Sequence, residues 1–405
     1  MSTVPPAAVD LSDGRSFGGG FPHDFFTWLR AEAPLWWHAP TATTPDGEGF
    51  WVLSRYADVD AVIMDAASFS SDTGGDRVGG GTAIKDEPTA GKVLNHTDDP
   101  YHKRLRALVN KGFTVRAVAA LEDELRRRCR ALLDALDAGE ELDFAHRVSR
   151  EIPTQAICIV LGVPEGDRER LVDLVDAGIE TPSDSVIAAE QARELRRYAQ
   201  ALIETKRAQP DAAIFSTIVH AELADGVRLN DAELRSFFAL LFPAGAETTT
   251  RAISGGLLAL IENPAAWARL CAEPTLARGA VEEIVRWTTP SVYKRRTATR
   301  DLELLGQPIR AGEKVTFWEM SANRDERVFA DPFRFDITRS PNKHLGFGAG
   351  VHFCLGAALA RLEIKVMLEE LVARGLDFEL AGQPQWMPNN RLFGLKALPV
   401  RAIAR

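Results

Sequence analysis

The run Gly346-Phe347-Gly348-Ala349-Gly350-Val351-His352-Phe353-Cys354-Leu355-Gly356 alternates glycine with other residues at its start. Glycine spacing of that kind permits a tight loop and a close approach of backbone to whatever packs on it. Beyond the loop, Leu355, Leu359, Leu362 and Val366 trace one face of a helix. Cys354 is therefore expected at a helix N-terminus, where the macrodipole and unpaired N–H groups favour a thiolate over a thiol.

An anionic sulfur in such a position suits a metal, and a single thiolate can bind haem iron and push electron density toward it. Other readings of the segment compete. A free cysteine is more often a small buried hydrophobe than a ligand. A dinucleotide-binding G-x-G-x-x-G fails because Val351 stands where a glycine is needed, and no buried strand precedes the run. Zinc is poorly served as well, since His344, His352 and Cys354 lack a second thiolate pair or a helical His-x-x-x-His.

The chain around this segment has 405 residues, 45% hydrophobic and 26% charged, the composition of a globular protein with a core large enough to enclose a cofactor. Its net charge of −9, with Lys and Arg scattered among the acids, argues against nucleic-acid binding. Cys129, Cys158, Cys271 and Cys354 lie far apart, so a disulfide framework is not expected and a reducing compartment fits. No long apolar run indicates a membrane anchor, and the polar start lacks a signal-peptide pattern. A soluble, cytoplasmic protein is expected.

Neither repeats nor linkers divide the chain. Residues 1–20 are expected to be a flexible N-terminal segment and 21–405 a single domain. Phe25 to Arg30 reads as part of a short helix. Leu35 to His38 and Phe50 to Ser54 read as a hairpin around Pro45-Asp46-Gly47. Helical periodicity dominates from about residue 98 to 287, and short strands and turns follow from about 290 to 345. The fold class is mainly α with a smaller β region. The glycine-rich stretch 72–95 has no periodic apolar pattern and is expected to be a mobile loop.

Two further motifs lie on helices. In Leu229-Asn230-Asp231-Ala232-Glu233 the asparagine can cap a helix and Glu233 complete a capping box. That helix would run to Asn263 and be about 50 Å long. It carries Pro243-Ala244-Gly245-Ala246-Glu247-Thr248-Thr249, where proline, glycine and threonine hydroxyls loosen the ladder. Alone, this segment could be a core helix with Thr248 bonding its own backbone. Glu283-Ile284-Val285-Arg286 sits on a helix expected over Leu276 to Trp287, with Glu283 and Arg286 on neighbouring points of one face. By itself that pair could be a solvated ion pair.

The order of these motifs carries a resemblance. Phe347-Gly348-x-Gly350-x-His352-x-Cys354-x-Gly356 matches the cysteine-ligand signature of the cytochromes P-450 at every fixed position, and the chain resembles the bacterial members of that haem-thiolate monooxygenase family. The resemblance implies the cytochrome P-450 fold, with haem b between the oxygen-binding helix and the cysteine helix. Cys354 would be the axial ligand, and Ala244, Gly245, Phe347, Gly348 and Gly356 would form the haem pocket. The family's A-G-x-[DE]-T motif would make Glu247 part of a proton relay, with Thr248 hydrogen-bonding the oxygen ligand or its water. Asp99-Pro100-Tyr101-His102-Lys103-Arg104-Leu105-Arg106 looks like the family's H-x-x-x-R helix. His102 and Arg106, together with Arg296 and His352, would then hold the haem propionates. Glu283, Arg286 and Arg334 would form a structural charge network.

The activity so implied is reductive activation of dioxygen and hydroxylation or epoxidation of a largely hydrophobic substrate, a terpenoid, steroid or other natural product. No flavin-binding or iron–sulfur motif is evident, so electrons would come from a ferredoxin and its NAD(P)H-linked ferredoxin reductase. Lys103, Arg104, Lys111 and Arg116 could contribute a basic docking face. The substrate pocket is expected from stretch 72–95, helices around 167–205, Leu240, Ala244, Val292, Lys294, Arg295, Leu392 and Phe393, with Lys294 or Arg295 able to meet a carboxylate. A haem-binding sensor would have little need of the Glu247-Thr248 pair, and a peroxide-driven enzyme could dispense with it.

Overall fold

A capping box starts the longest helix. The Asn230 side chain accepts from the N–H groups of Ala232 and Glu233, while the Glu233 carboxylate accepts from the Asn230 N–H. In the computed structural model, which describes residues 9–180, 186–222 and 226–405, this helix spans Asp231–Glu262 and continues through Pro243. It forms the centre of a helical layer made with Glu151–Leu161, Val186–Ala208, Ala277–Thr288 and Ala357–Arg374.

Glycine lets the helices approach closely. A Cβ placed on Gly245 would lie 2.7 Å from the Ile157 side chain, and one on Gly256 would lie 2.9 Å from Ile284. Ile157 borders the central cavity and can shift toward it, but Ile284 is buried away from the cavity and has no room to retreat. Gly256→Val is therefore expected to lower stability by about 1–3 kcal/mol through overpacking. Chemical denaturation measures it, and an unchanged midpoint would contradict this packing.

The smaller β region flanks the helices. Its largest sheet has five strands in the order Leu35–His38, Phe50–Leu53, Lys314–Phe317, Lys294–Ala298 and Phe69–Ser70. The first two form the expected hairpin, antiparallel with Leu35 opposite Leu53. In the strand Lys294–Ala298 successive side chains alternate between faces. Lys294 and Arg296 border the central cavity, while Arg295 and Thr297 are fully buried on the other side. A three-stranded sheet joins Glu141–Asp143, Pro399–Ala404 and Leu376–Leu380.

Two expectations about irregular segments need correction. Residues 1–8 lie outside the described residues, but residues 9–20 are packed rather than flexible. Leu11 and Phe17 are fully buried, the Leu11 N–H donates to His38 Nε2 at 3.1 Å, and Phe17 stacks on Trp318. The glycine-rich stretch 72–95 is irregular but tied down. Asp86 pairs with Arg77 and Arg295, and Glu87 accepts from the Thr82 and Ala83 N–H groups and pairs with Arg391.

The Glu283–Arg286 pair is buried, but its third charged member is not the one expected. Arg286 donates to both Glu283 oxygens at 2.7 and 2.8 Å, and both side chains are fully buried. The Arg334 side chain is 64% exposed and pairs with Asp336; only its carbonyl faces Arg286. Arg339 reaches Glu283 instead, at 3.3 Å, and Asn342 and the Asp336 N–H complete the carboxylate's shell. The chain turns between Asp331 and Asp336, so the arginine inside Asp331-Pro332-Phe333-Arg334-Phe335 projects outward while the later Arg339 folds back.

Candidate active site

A cavity of about 360 Å³ opens between the long helix and the helix Ala357–Arg374. The cysteine loop forms one wall. Gly348 and Gly350 adopt φ of 67° and 62°, the left-handed region that a side chain would strain. The turn is closed by the Cys354 N–H donating to the Phe347 carbonyl at 2.9 Å. Gly356 caps the helix that begins at Ala357. Phe347, Gly348, Cys354 and Gly356 all border the cavity, and the Cys354 side chain opens into it.

The helix terminus pulls Cys354 toward the thiolate through the Gly356 N–H, as the spacing predicts, but loss of solvent around the sulfur outweighs it. Surrounding protein raises the Cys354 pKa above the ordinary thiol value, against opposing pulls from the Gly356 N–H, Lys294, Arg106 and Arg361. Cys354 lies ahead of the cap rather than in the first turn, so the dipole reaches it weakly. A bound cation is what would hold it ionised.

The long helix supplies the facing wall through Leu240, Ala244, Gly245 and Thr248. The Thr248 hydroxyl donates to the Ala244 carbonyl at 3.0 Å. Its neighbour Glu247 does not line this cavity. It borders a small separate recess with His146, Arg150, Arg251 and Lys396. The pair thus straddles the helix, one member toward the cavity and one toward a polar recess.

Two arginines and two histidines gather at another part of the cavity. His102, Arg106, Arg296 and His352 all border it. His102 and His352 stand with ring centroids 4.2 Å apart. Arg106 donates to the carbonyls of Val351 and Phe353, and Arg296 donates to the carbonyl of Arg295. Among the described residues neither guanidinium is paired with a carboxylate. The buried Nε2 of His102 has no partner at all. Burial, with Arg296, His102 and Arg106 close by, pushes the His352 pKa down to about 2. Burial likewise lowers Arg296 to about 10. Two arginines unpaired with carboxylates, a neutral His352 and a His102 whose Nδ1 meets Asp99 at 3.2 Å thus face the thiol across a mostly apolar cavity. A planar, iron-containing group with two carboxylates fits that donor set: sulfur for the metal, these four side chains for the acids.

Several expected pocket residues lie elsewhere. Val292 and Phe393 are buried in a separate core with Phe17 and Trp318, and Arg295 is fully buried against Asp86 and Thr297. Strand alternation turns Arg295 away from the cavity, so it cannot meet a substrate there. Lys294 does border the cavity, but its ammonium pairs with Glu319 at 2.6 Å. Among residues 167–174 and 189–205 none lines the cavity; the side chains of 175–188 lie outside the description.

The stretch 72–95 does reach the cavity, through Thr82, Leu94 and Asn95, whereas Arg391 and Glu363 escaped the sequence reading. Leu392 and Phe393 pointed to the right turn but to the wrong side chain. Glu363 carried no signal, because it stands between Arg361 and Lys365 in a charged stretch of the helix. It is nevertheless 1% exposed, with both carboxylate oxygens unpartnered. Burial pushes its pKa up to about 8, with Thr249 pulling weakly the other way. The folded state therefore holds a proton that the unfolded chain has lost above the ordinary glutamate range, and stability falls as pH rises from about 4.5 to about 8. Glu363→Gln is expected to remove that component, raising the melting temperature more at pH near 8 than at pH near 5. Equal shifts at both pH values would contradict the burial of an ionisable group there.

Comparison with known proteins agrees with the geometry. The family model described as Cytochrome P450 matches residues 18–403. A Mycobacterium tuberculosis relative named by family alone, cytochrome P450 126, is 48% identical, with 97% of each chain covered. The methyl-branched lipid omega-hydroxylase of the same organism is 39% identical, covering 98% of this chain and 95% of its own. Among solved structures, Mycobacterium marinum cytochrome P450 CYP268A2 in complex with pseudoionone has a TM-score of 0.88 and 37% identity, covering 99% of this chain and 100% of its own.

Proposed function

The chain belongs to the cytochrome P450 family, whose members carry haem b, and from that premise we propose that it is a haem-thiolate monooxygenase with Cys354 as the axial ligand. One observation carries this reading: Cys354 opens into a cavity rimmed by His102, Arg106, Arg296 and His352, where neither arginine meets a carboxylate and the buried Nε2 of His102 has no partner, as two propionates would provide. The bound haem would supply reductive activation of dioxygen, one oxygen atom passing to the substrate and the other leaving as water.

The chain's own residues would divide the remaining work. Cys354 donates electron density through sulfur. Arg106 and Arg296, with the two histidines, orient the cofactor's carboxylates. Ala244 and Gly245 keep the long helix thin where the cofactor and substrate must fit. Glu247 takes protons from the polar recess, and the Thr248 hydroxyl passes them into the cavity. Leu240 and the apolar walls exclude water and hold a hydrophobic molecule.

Electrons would come from a ferredoxin and its NAD(P)H-linked reductase, docking where Lys103 and Arg116 are exposed. Among the described residues no helix is long and apolar enough to cross a membrane, and the reading places the enzyme in the cytoplasm. The substrate would be a terpenoid, steroid or related lipid. Relatives named for lipid and steroid oxidation support that choice, including the steroid C26-monooxygenase of Mycobacterium tuberculosis at 36% identity.

Isotopically labelled dioxygen tests the reading. With a ferredoxin, its reductase and pseudoionone as probe, one labelled atom is expected in the product. Oxidation that proceeds only with peroxide, or product without label, would overturn it.

A further inference from the structure

We infer that Arg391 is a substrate-anchoring residue, selecting hydrophobic molecules that carry an uncharged carbonyl oxygen. This rests on the monooxygenase reading and narrows its substrate class.

Arg391 borders the cavity from the turn before Leu392, together with Thr82 from the tied-down stretch 72–95. Most of the cavity's open surface is apolar, and among the described residues Arg391 is the one guanidinium on it besides Arg106 and Arg296. Its placement is over-determined. The Arg391 carbonyl accepts from the Val292 N–H, and the Phe393 N–H donates to the Pro290 carbonyl, fixing the turn against the start of the cavity strand. The head group is held by Glu87 at 2.8 Å through Nη1 and by Thr82 Oγ1 at 3.0 Å through Nη2. Those bonds leave other guanidinium donors, and the side chain keeps 36% of its surface open.

Charge then decides what can bind. Glu87 is held below the ordinary carboxylate range: burial opposes its charge, and Arg391 and the Thr82 N–H outweigh it. His96 completes the group, 3.1 Å from both Thr82 Oγ1 and Glu87, with its pKa pushed down to about 4 chiefly by burial. Near neutral pH the cluster is one cation, one anion and a neutral imidazole. It offers strong donors without net charge. A carboxylate docking on Arg391 would share that one cation with Glu87 and leave one negative charge uncompensated, whereas a ketone or ester oxygen accepts from the guanidinium and adds none. Lys294 provides no alternative anion site, since Glu319 already neutralises it. An apolar body with one carbonyl end is the chemistry that matches.

The test uses haem-loaded full-length protein and reads dissociation constants from the substrate-induced change in the absorption spectrum. Probes are pseudoionone, the hydrocarbon lacking its ketone, and the carboxylic acid of matched length; progesterone and its ketone-free parent pregnene form a second set. Each ketone is expected to bind about tenfold or more tightly than its hydrocarbon, the range for a hydrogen bond to a charged donor. Arg391→Leu should erase that preference while leaving hydrocarbon affinity in place, and Arg391→Lys should restore part of it. Glu87→Gln, which frees the cation, should shift preference toward the acid. Equal binding of ketone and hydrocarbon, no binding of any probe, tighter binding of the acid by the unaltered protein, or a ketone preference that survives Arg391→Leu would each overturn the inference. An intact thiolate-type carbon monoxide spectrum in the same sample shows that such a failure concerns the anchor and not the monooxygenase reading.

Discussion

Arg286→Leu is expected to abolish accumulation of folded protein. The substitution strips the fully buried Glu283 carboxylate of its bidentate partner and deprives the carbonyls of Asn323 and Pro332 of their donor. Breaking one side of a buried pair costs about 3–5 kcal/mol. Whole domains have only about 5–15 kcal/mol of stability. Arg286→Lys should not rescue it, because an ammonium cannot reproduce the planar fork that spans the carboxylate and reaches two carbonyls. Arg334→Ala should be nearly silent, within about 0.5 kcal/mol, because its side chain is solvated. Soluble yield and urea midpoints of the three variants decide the matter. A native-like midpoint for Arg286→Leu, or a large loss for Arg334→Ala, would contradict the network as described.

The second large effect concerns protons. If Glu247 gathers them in the recess and Thr248 delivers them across the helix, Glu247→Gln should cut turnover by roughly a hundredfold or more, the scale of a lost acid–base group. Affinity for substrate should hardly move, since Glu247 does not border the cavity. Thr248→Ala should instead let oxygen consumption continue while product per oxygen falls. Steady-state kcat and the ratio of product to oxygen consumed, measured with a ferredoxin donor, separate the two roles. Unchanged kcat in Glu247→Gln would remove the recess from the mechanism.

Much of this protein is legible from residues whose effects are local. The capping box at Asn230, the hairpin around Pro45-Asp46-Gly47 and the cysteine loop all depend on near neighbours, and the structure has each where the spacing predicts. The sequence reading failed where long-range packing decides. Arg334 and Arg339 are equally plausible partners for Glu283 along the chain, and only the turn at Asp331–Asp336 chooses between them. Arg295 and Lys294 are adjacent, yet strand pairing with Lys314–Phe317 fixes which of them faces the cavity. Glu363 resembles a surface residue because a helix bearing alternating charges gives no hint that one face meets the long helix and a cavity. Cys354 illustrates the same limit in electrostatics: its position before a helix was correctly read, but desolvation by the surrounding protein outweighs the pull of the Gly356 N–H.

The account depends most on Cys354 as the iron ligand. Its direct test is the absorption spectrum of the purified, reduced protein under carbon monoxide, recorded beside Cys354→Ser and Cys158→Ser. A strongly red-shifted thiolate-type Soret band in the unaltered protein and in Cys158→Ser, lost in Cys354→Ser, is the predicted result. Absence of haem, or the same band in Cys354→Ser, would contradict it.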